Sequence, residues 1–459
     1  MNHALPPNPP WGRLQTLRRM AADDTTFFRS LHENYGDIVS FRLPNTRYCA
    51  VSSVDAAHEA LVEKVELLAV HHPRTAFDFV KSKCLARTQI GDEHRRLTKL
   101  VEGGLTPDRM DAFRRIAVSE TACLTHELQE GKTIDGRELF ERFTWNALAA
   151  CLIGGGQGLA EAAIPALTAL KLNWIAAALG LYPLIRKLPL PHDLKARRRI
   201  RALDEATYEC IRAARTSDGN GESLIAHFVK ATEDGSADWS FTNDEEIRDE
   251  AYGILFGAFD HPTRALTRSP FHLARNPKVR SRLEAEVKQV VGDRPINGKD
   301  LDRLPYARAV CMELLRVHPA GALLAPRKAM KDLTLGGYLV PKGTLVVVTV
   351  DVINHRSDYW EDPGEFRPER WQESSGCPHQ DAFLTFSMEP RRCRGEDLAT
   401  AVIVAGLACV AQSWRLEPVP GASPTPGLKP GGFGGPVPFV VSPIRTAPRC
   451  RPPSGCSPD

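Results

Sequence analysis

The chain has 459 residues, 42% of them hydrophobic and 25% charged, the proportions of a globular protein that buries a large core. Its formal net charge of +3 names no polyanionic partner, and there is no internal repeat. Eleven cysteines scattered without paired spacing fit reduced thiols in a cytosol better than a disulfide framework.

In chain order, residues 1–10 are proline-rich and residues 11–20 form a short amphipathic stretch. Residues 36–45 alternate apolar and polar, turn at Pro44-Asn45 and continue through residues 47–52, which predicts a β-hairpin. The longest apolar piece, residues 174–185, is broken by Gly180 and Pro183. With no apolar run of about 18 residues and no signal peptide, no segment reads as membrane-spanning. The basic run Lys195-Ala-Arg-Arg-Arg-Ile-Arg201 reads as the solvated face of a helix, without the aromatic interleaving or fold motif of a nucleic-acid site. Residues 304–319 place apolar side chains at helical spacing and end at a proline. Within them Glu313 and Arg316 share a face and can pair. Residues 335–349 read as two strand runs broken by turn residues.

The densest signal follows. In Phe386-Ser-Met-Glu-Pro-Arg-Arg-Cys393-Arg-Gly395 one cysteine comes after a turn-prone Pro-Arg-Arg and before a helix-forming run, residues 396–405. The helix dipole and neighbouring arginines are expected to favour the thiolate, and a thiolate can ligate haem iron. Cys49, Cys84, Cys151, Cys311 and Cys409 sit in apolar text and are expected in the core. Cys450 and Cys456 lie in a Pro/Ser-rich tail, 441–459, expected to be disordered.

These ten residues resemble the cysteine-ligand loop of the cytochrome P450 family, Phe-x-x-Gly-x-Arg-x-Cys-x-Gly. Phe386, Arg391, Cys393 and Gly395 match, and Glu389 stands at the first glycine. If that turn needs φ > 0, a glutamate there is strained by about 1–3 kcal/mol. Glu313-Leu-Leu-Arg316 followed by Glu365-Phe-Arg-Pro-Glu-Arg370-Trp371 resembles two further family segments. By that resemblance Glu313, Arg316 and Arg370 form a structural charge cluster that locks the cysteine loop. Asn354-His-Arg-Ser-Asp-Tyr-Trp-Glu-Asp-Pro363 resembles the family text between them.

The resemblance runs from about residue 36 to residue 440. It implies a mainly α fold with a small β lobe (α+β), the cytochrome P450 fold, as one domain, 36–440, after an N-terminal segment, 1–35, without a membrane anchor. It implies haem b (iron protoporphyrin IX), with Cys393 as the metal ligand, Phe386 packed near the sulfur and Gly395 beside it. Arg327, Arg391 and His94 fall where the family binds the haem propionates, although Thr98 occupies the place of a further arginine. Residues 255–266 align with the long central helix over the haem. There Asp260 keeps the family's acid, His261 replaces its alcohol, and Pro262 and Pro270 follow. His261 is open to three readings: a proton relay, a bulky block, or a sixth iron ligand.

The function so implied is that of a soluble, bacterial-type, cytoplasmic haem-thiolate monooxygenase. It would insert one oxygen atom into a small apolar substrate (lipid, terpenoid, steroid or polyketide), with Asp260 and His261 as catalytic residues in proton delivery. Electrons would come from a ferredoxin- or flavodoxin-type donor docking on a basic patch of Arg95, Arg96, Lys99, Arg392 and Arg394. Two alternatives stay open: an isomerase, dehydratase or peroxide-driven haem-thiolate enzyme, and a haem-binding protein with a decayed site. Substrate specificity would reside in residues 74–85 and in a lid over residues 172–190.

Overall fold

The computed structural model describes residues 4–44, 46–71, 84–155, 191–217, 221–234, 241–319, 321–372, 380–423 and 436–444. The lid stretch 172–190, nearly all of 74–85, and Cys450 and Cys456 therefore lie outside the described residues.

Helices α1 (Arg13–Ala22) and α2 (Asp24–Tyr35) lead into strands β1 (Ile38–Leu43) and β2 (Thr46–Val51), followed by α3 (Val54–His58) and β3 (Leu68–Val70). A helical body comes next: α4 (Asp92–Gly103), α5 (Pro107–His126), a short β4 (Thr133–Asp135), α6 (Gly136–Leu152), α7 (Pro191–Thr216) and α8 (Leu224–Glu233). It continues through α9 (Asp244–Ala258), α10 (Asp260–Arg275), α11 (Pro277–Val290) and α12 (Pro305–Val317). The chain then returns to the sheet with β5 (Arg327–Ala329), β6 (Leu333–Leu335), β7 (Tyr338–Val340) and β8 (Leu345–Val348). Helices α13 (Val350–Ile353) and α14 (Glu396–Ser413) precede β9 (Trp414–Pro418) and β10 (Pro438–Pro443).

The expected hairpin is present, with Ile38 opposite Val51 and Leu43 opposite Thr46. It forms one edge of a five-stranded sheet in the order β1-β2-β8-β5-β3. Alternation along the strands buries both sheet faces. Val346, Val348 and Ala329 join one apolar cluster, while Phe41, Ala50 and Val347 join another with Phe27, Phe28 and Leu31 of α2. Helices α1 and α2 are thus packed onto the β lobe. Residues 335–349 give the two expected strand runs, β7 and β8, and the adjacent Gly336 and Gly337, at φ 53° and 82°, close a tight hairpin between β7 and the preceding β6. β10 runs to Pro443 and pairs with β9 and β4, so the chain stays ordered three residues into the stretch expected to be a tail.

The larger core is helical and is centred on α14. This helix is long and apolar enough by composition to cross a membrane, yet most of it is buried within the protein. α10 and α6 pack against α14, and a Cβ on Gly406 would come within 2.9 Å of Leu266 on α10. A larger residue there would push the Leu266 methyls aside. Cys49, Cys84, Cys151, Cys311 and Cys409 are buried as expected.

Pro262 leads one to expect a kink in the helix aligned over residues 255–266; the helix is instead interrupted three residues earlier, at Phe259, between α9 and α10. Pro262 has no N–H to offer the Ala258 carbonyl. It therefore falls in the first turn of a new helix, where the missing donor costs little. Pro270 sits inside α10, and the Ser269 hydroxyl donates to the Leu266 carbonyl (2.9 Å) that Pro270 cannot serve.

Candidate active site

The cysteine loop is built by backbone bonds around its thiol. Cys393 N–H donates to the Phe386 carbonyl at 2.8 Å, Arg391 N–H to Met388 at 3.0 Å, and α14 begins where Ala399 N–H reaches Gly395 O at 2.9 Å. Phe386 is buried and packs on Phe383 with ring centroids 5.9 Å apart. A Cβ on Gly395 would lie 3.8 Å from Cys393 Sγ, so glycine keeps one side of the sulfur open. Cys393 is accessible.

Burial pushes the Cys393 thiol up rather than down, with the Glu396 charge adding to it. The Gly395 N–H and the charges of Arg394 and Arg392 act the other way without prevailing. This corrects the expected easy ionisation. Both arginines are occupied: Arg392 pairs with Glu396 at 2.8 Å, and Arg394 with Glu389 at 2.8 Å. A positive charge held by a carboxylate does little for a third group. A metal cation at the sulfur would supply the missing stabilisation.

The same pairing removes the expected basic docking patch. Arg95 pairs with Asp92 and Arg96 with Glu93 (2.9 Å), so four of its five cations carry a carboxylate of their own. Glu389 is not strained either: the left-handed residue of this loop is Ser387, at φ 62°.

The propionate-binding residues expected from the sequence do converge. His94 is buried on α4, 3.5 Å from Thr98 Oγ1. Burial lowers it to about 4, with Arg391, Arg394 and Arg327 contributing, so the ring is neutral at pH 7. Burial brings Arg327 down to about 10, and Arg391 likewise with Arg327 adding to the effect. Both remain charged at pH 7. Arg391 donates to the Thr88 carbonyl, whereas Arg327 Nε is buried without a partner. Among the described residues no carboxylate contributes to the shift of either. A buried guanidinium and a half-buried one beside a neutral imidazole are an incomplete charge system, and a ligand with two carboxylates completes it. Haem fits this set: Cys393 would hold its iron, and Arg327, Arg391 and His94 would hold its propionates. Arg327→Met should therefore have opposite effects on the two forms. The haem-free protein should be as stable or more stable in urea, while haem passes to an acceptor protein roughly tenfold faster, the worth of one charge-assisted hydrogen bond.

Asp260 and His261 form the first turn of α10. Asp260 Oδ2 stands 2.9 Å from Arg264 Nε, while its Oδ1 and His261 Nδ1 are buried without partners. Burial lowers the His261 pKa, with Asp260 acting against that and Arg264 with it.

The charge cluster is present and larger than the sequence suggested. Glu313 and Arg316 are fully buried and bidentate, at 2.8 Å and 2.9 Å. Glu313 also accepts from Arg370 Nε (3.2 Å), Arg367 N–H (2.9 Å) and Trp371 Nε1 (2.9 Å). Burial alone would raise its carboxyl, but hydrogen bonding and charge from Arg316, with Arg370, hold it below the usual carboxylate range. Arg316 donates to the carbonyls of Asn354, Pro363 and Glu365. Asn354 Nδ2 in turn reaches Thr385 Oγ1 at 3.4 Å, next to Phe386, so the cluster is wired to the loop that holds Cys393.

Sequence reasoning missed two buried features. His272 and His318 face each other with Nε2 atoms 2.7 Å apart, and burial lowers both, His272 to about 4. Glu250 on α9 accepts the Leu85 N–H at 2.8 Å, and burial raises it to about 7. Their partners lie far apart in the chain, and no local pattern marks them.

Comparison with known proteins agrees with this arrangement. The cytochrome P450 family model matches residues 3–439. A cyclooctat-9-en-7-ol 5-monooxygenase of Streptomyces melanosporofaciens is 26% identical over 424 residues, covering 89% of each chain. Ferruginol synthase of Salvia miltiorrhiza is 25% identical over 451 residues, 90% of this chain and 88% of that one. The solved structure of retinoic acid bound cyanobacterial CYP120A1 superposes with a TM-score of 0.79 at 19% identity, covering 96% of this chain and all of that one. With a family match over nearly its whole length, the chain belongs to the cytochrome P450 family, whose members are haem-iron oxidoreductases.

Proposed function

We propose that the protein is a haem-thiolate monooxygenase. It inserts one oxygen atom into a small apolar substrate of lipid, terpenoid, steroid or polyketide type. Electrons come from a separate ferredoxin- or flavodoxin-type donor. The carrying observation is the accessible Cys393 at the start of α14 combined with buried Arg327 and half-buried Arg391, whose charges no carboxylate among the described residues offsets. The relative named as a cyclooctat-9-en-7-ol 5-monooxygenase supports the apolar substrate class. Free, scattered cysteines support a cytoplasmic location. Donor docking rests on shape and short-range contacts, because the arginines of the cysteine face are already paired.

When bound, haem b supplies the oxygen-activating chemistry. The chain's own residues hold it and manage protons. Cys393 Sγ ligates the iron, and Arg327, Arg391 and His94 neutralise and orient the propionates. Arg264 fixes one oxygen of Asp260 and leaves the other open. His261, half-buried, held neutral by its surroundings and with an open Nδ1, would accept a proton from the Asp260 side and pass it toward the bound haem.

His261→Thr is expected to lower product formed per electron consumed by roughly tenfold or more, the lower range for loss of a general acid–base. The measurement is product and peroxide yield in the presence of reductant and dioxygen. A gain in product per electron would show instead that His261 obstructs the site.

A further inference from the structure

We propose that Glu389 sets the reduction potential of the haem, acting as a charge-positioning residue for the cysteine loop that makes the iron harder to reduce. The inference rests on the haem-thiolate reading. Glu389 occupies the place where the resembled loop has glycine, and its carboxylate grips Arg394 with both oxygens, Oε1 at 2.8 Å from Nη1 and Oε2 at 2.8 Å from Nη2. Arg394 directly follows Cys393, and its Nε stands 3.2 Å from Glu102 Oε1 on α4, the helix that carries His94.

Two carboxylates on one guanidinium leave this triad with one net negative charge beside the axial ligand. With glycine at 389 the remaining Arg394–Glu102 pair would be neutral. Reduction adds an electron to the haem, so an extra negative charge nearby opposes it, and the net charge around a metal centre is one of the protein's levers on its potential. Glu389 is 59% exposed, Glu102 47% and Arg394 22%. Solvent therefore screens the effect and keeps it modest.

The triad also braces the loop against α4, and a bracing role alone makes a different prediction. The experiment is a spectroelectrochemical titration of the haem-loaded wild type, Glu389→Gln, Arg394→Gln and the double variant. Glu389→Gln should move the one-electron equilibrium toward the reduced form by about three- to tenfold, tenfold being ~59 mV. Arg394→Gln should move it the other way. The double variant should return close to wild type, because the triad again carries one negative charge. An unmoved Glu389→Gln, or three variants shifted in one direction as by a loosened loop, would overturn the proposal. If Glu389→Gln retains too little haem to titrate, Glu102→Gln removes the same charge from α4 without touching the loop. It should shift the equilibrium in the same direction, and no shift would equally overturn the proposal. The carbon monoxide spectrum of the reduced wild type separates the two readings. A missing thiolate band sinks the haem-thiolate function itself, whereas a normal band with unmoved potentials sinks only the role of Glu389.

Discussion

Cys393→Ser should abolish monooxygenase turnover while leaving the haem-free fold almost unchanged. The loop is held by the backbone bond from Cys393 N–H to Phe386 O at 2.8 Å, which serine keeps. The thiol itself is accessible, so apo stability should change by less than about 0.5 kcal/mol, the usual range for a substitution away from core contacts. A neutral hydroxyl cannot replace a thiolate as the electron-donating ligand. Urea unfolding of the haem-free variant, read beside product formation, separates the two effects. Retained turnover would remove Cys393 from the chemistry. A large loss of stability would mean that the thiol is part of the packing.

The second large effect concerns stability, at a residue that touches no ligand. Glu313→Gln removes the one carboxylate shared by Arg316 and Arg370, with Glu313 and Arg316 at 0% exposure. Breaking a buried pair leaves an uncompensated charge and costs about 3–5 kcal/mol. That is a large fraction of a typical folding free energy of about 5–15 kcal/mol. The urea midpoint should fall steeply, and haem retention with it, because Arg316, Asn354 and Thr385 tie the cluster to the cysteine loop. A midpoint within about 1 kcal/mol of wild type would mean that the carbonyls around Arg316 satisfy it without Glu313.

What the sequence made legible was local or carried by a spaced motif. Alternation in residues 36–52 and the Pro44-Asn45 turn predicted β1 and β2, since a period of two is written in adjacent residues. Glu313 and Arg316 were legible because three residues of helix bring them to one face, and Arg370, Arg327, Arg391 and His94 were placed by resemblance. The electrostatic state of these groups was not legible. The sequence shows arginines around Cys393, but only the folded loop shows that Arg392 and Arg394 are held by Glu396 and Glu389. With those charges occupied, burial decides the thiol's state. Glu389 read as a strained substitute for glycine because φ is invisible in sequence; the positive φ falls on Ser387 instead. Pro262 suggested a kink, yet whether a proline lies in a helix interior or opens a new helix depends on a boundary that residue patterns leave loose by a few positions. The His272–His318 contact joins α10 to the end of α12 and has no local signature.

The account stands on Cys393 ligating a haem held by Arg327, Arg391 and His94. The most direct measurement is the absorption spectrum of the purified, reduced protein with carbon monoxide bound, recorded beside Cys393→Ser. The account predicts a strongly red-shifted Soret band in the wild type and its absence in the variant. A wild type that binds no haem, or binds it without that band, would contradict the account and leave the fold without its active site.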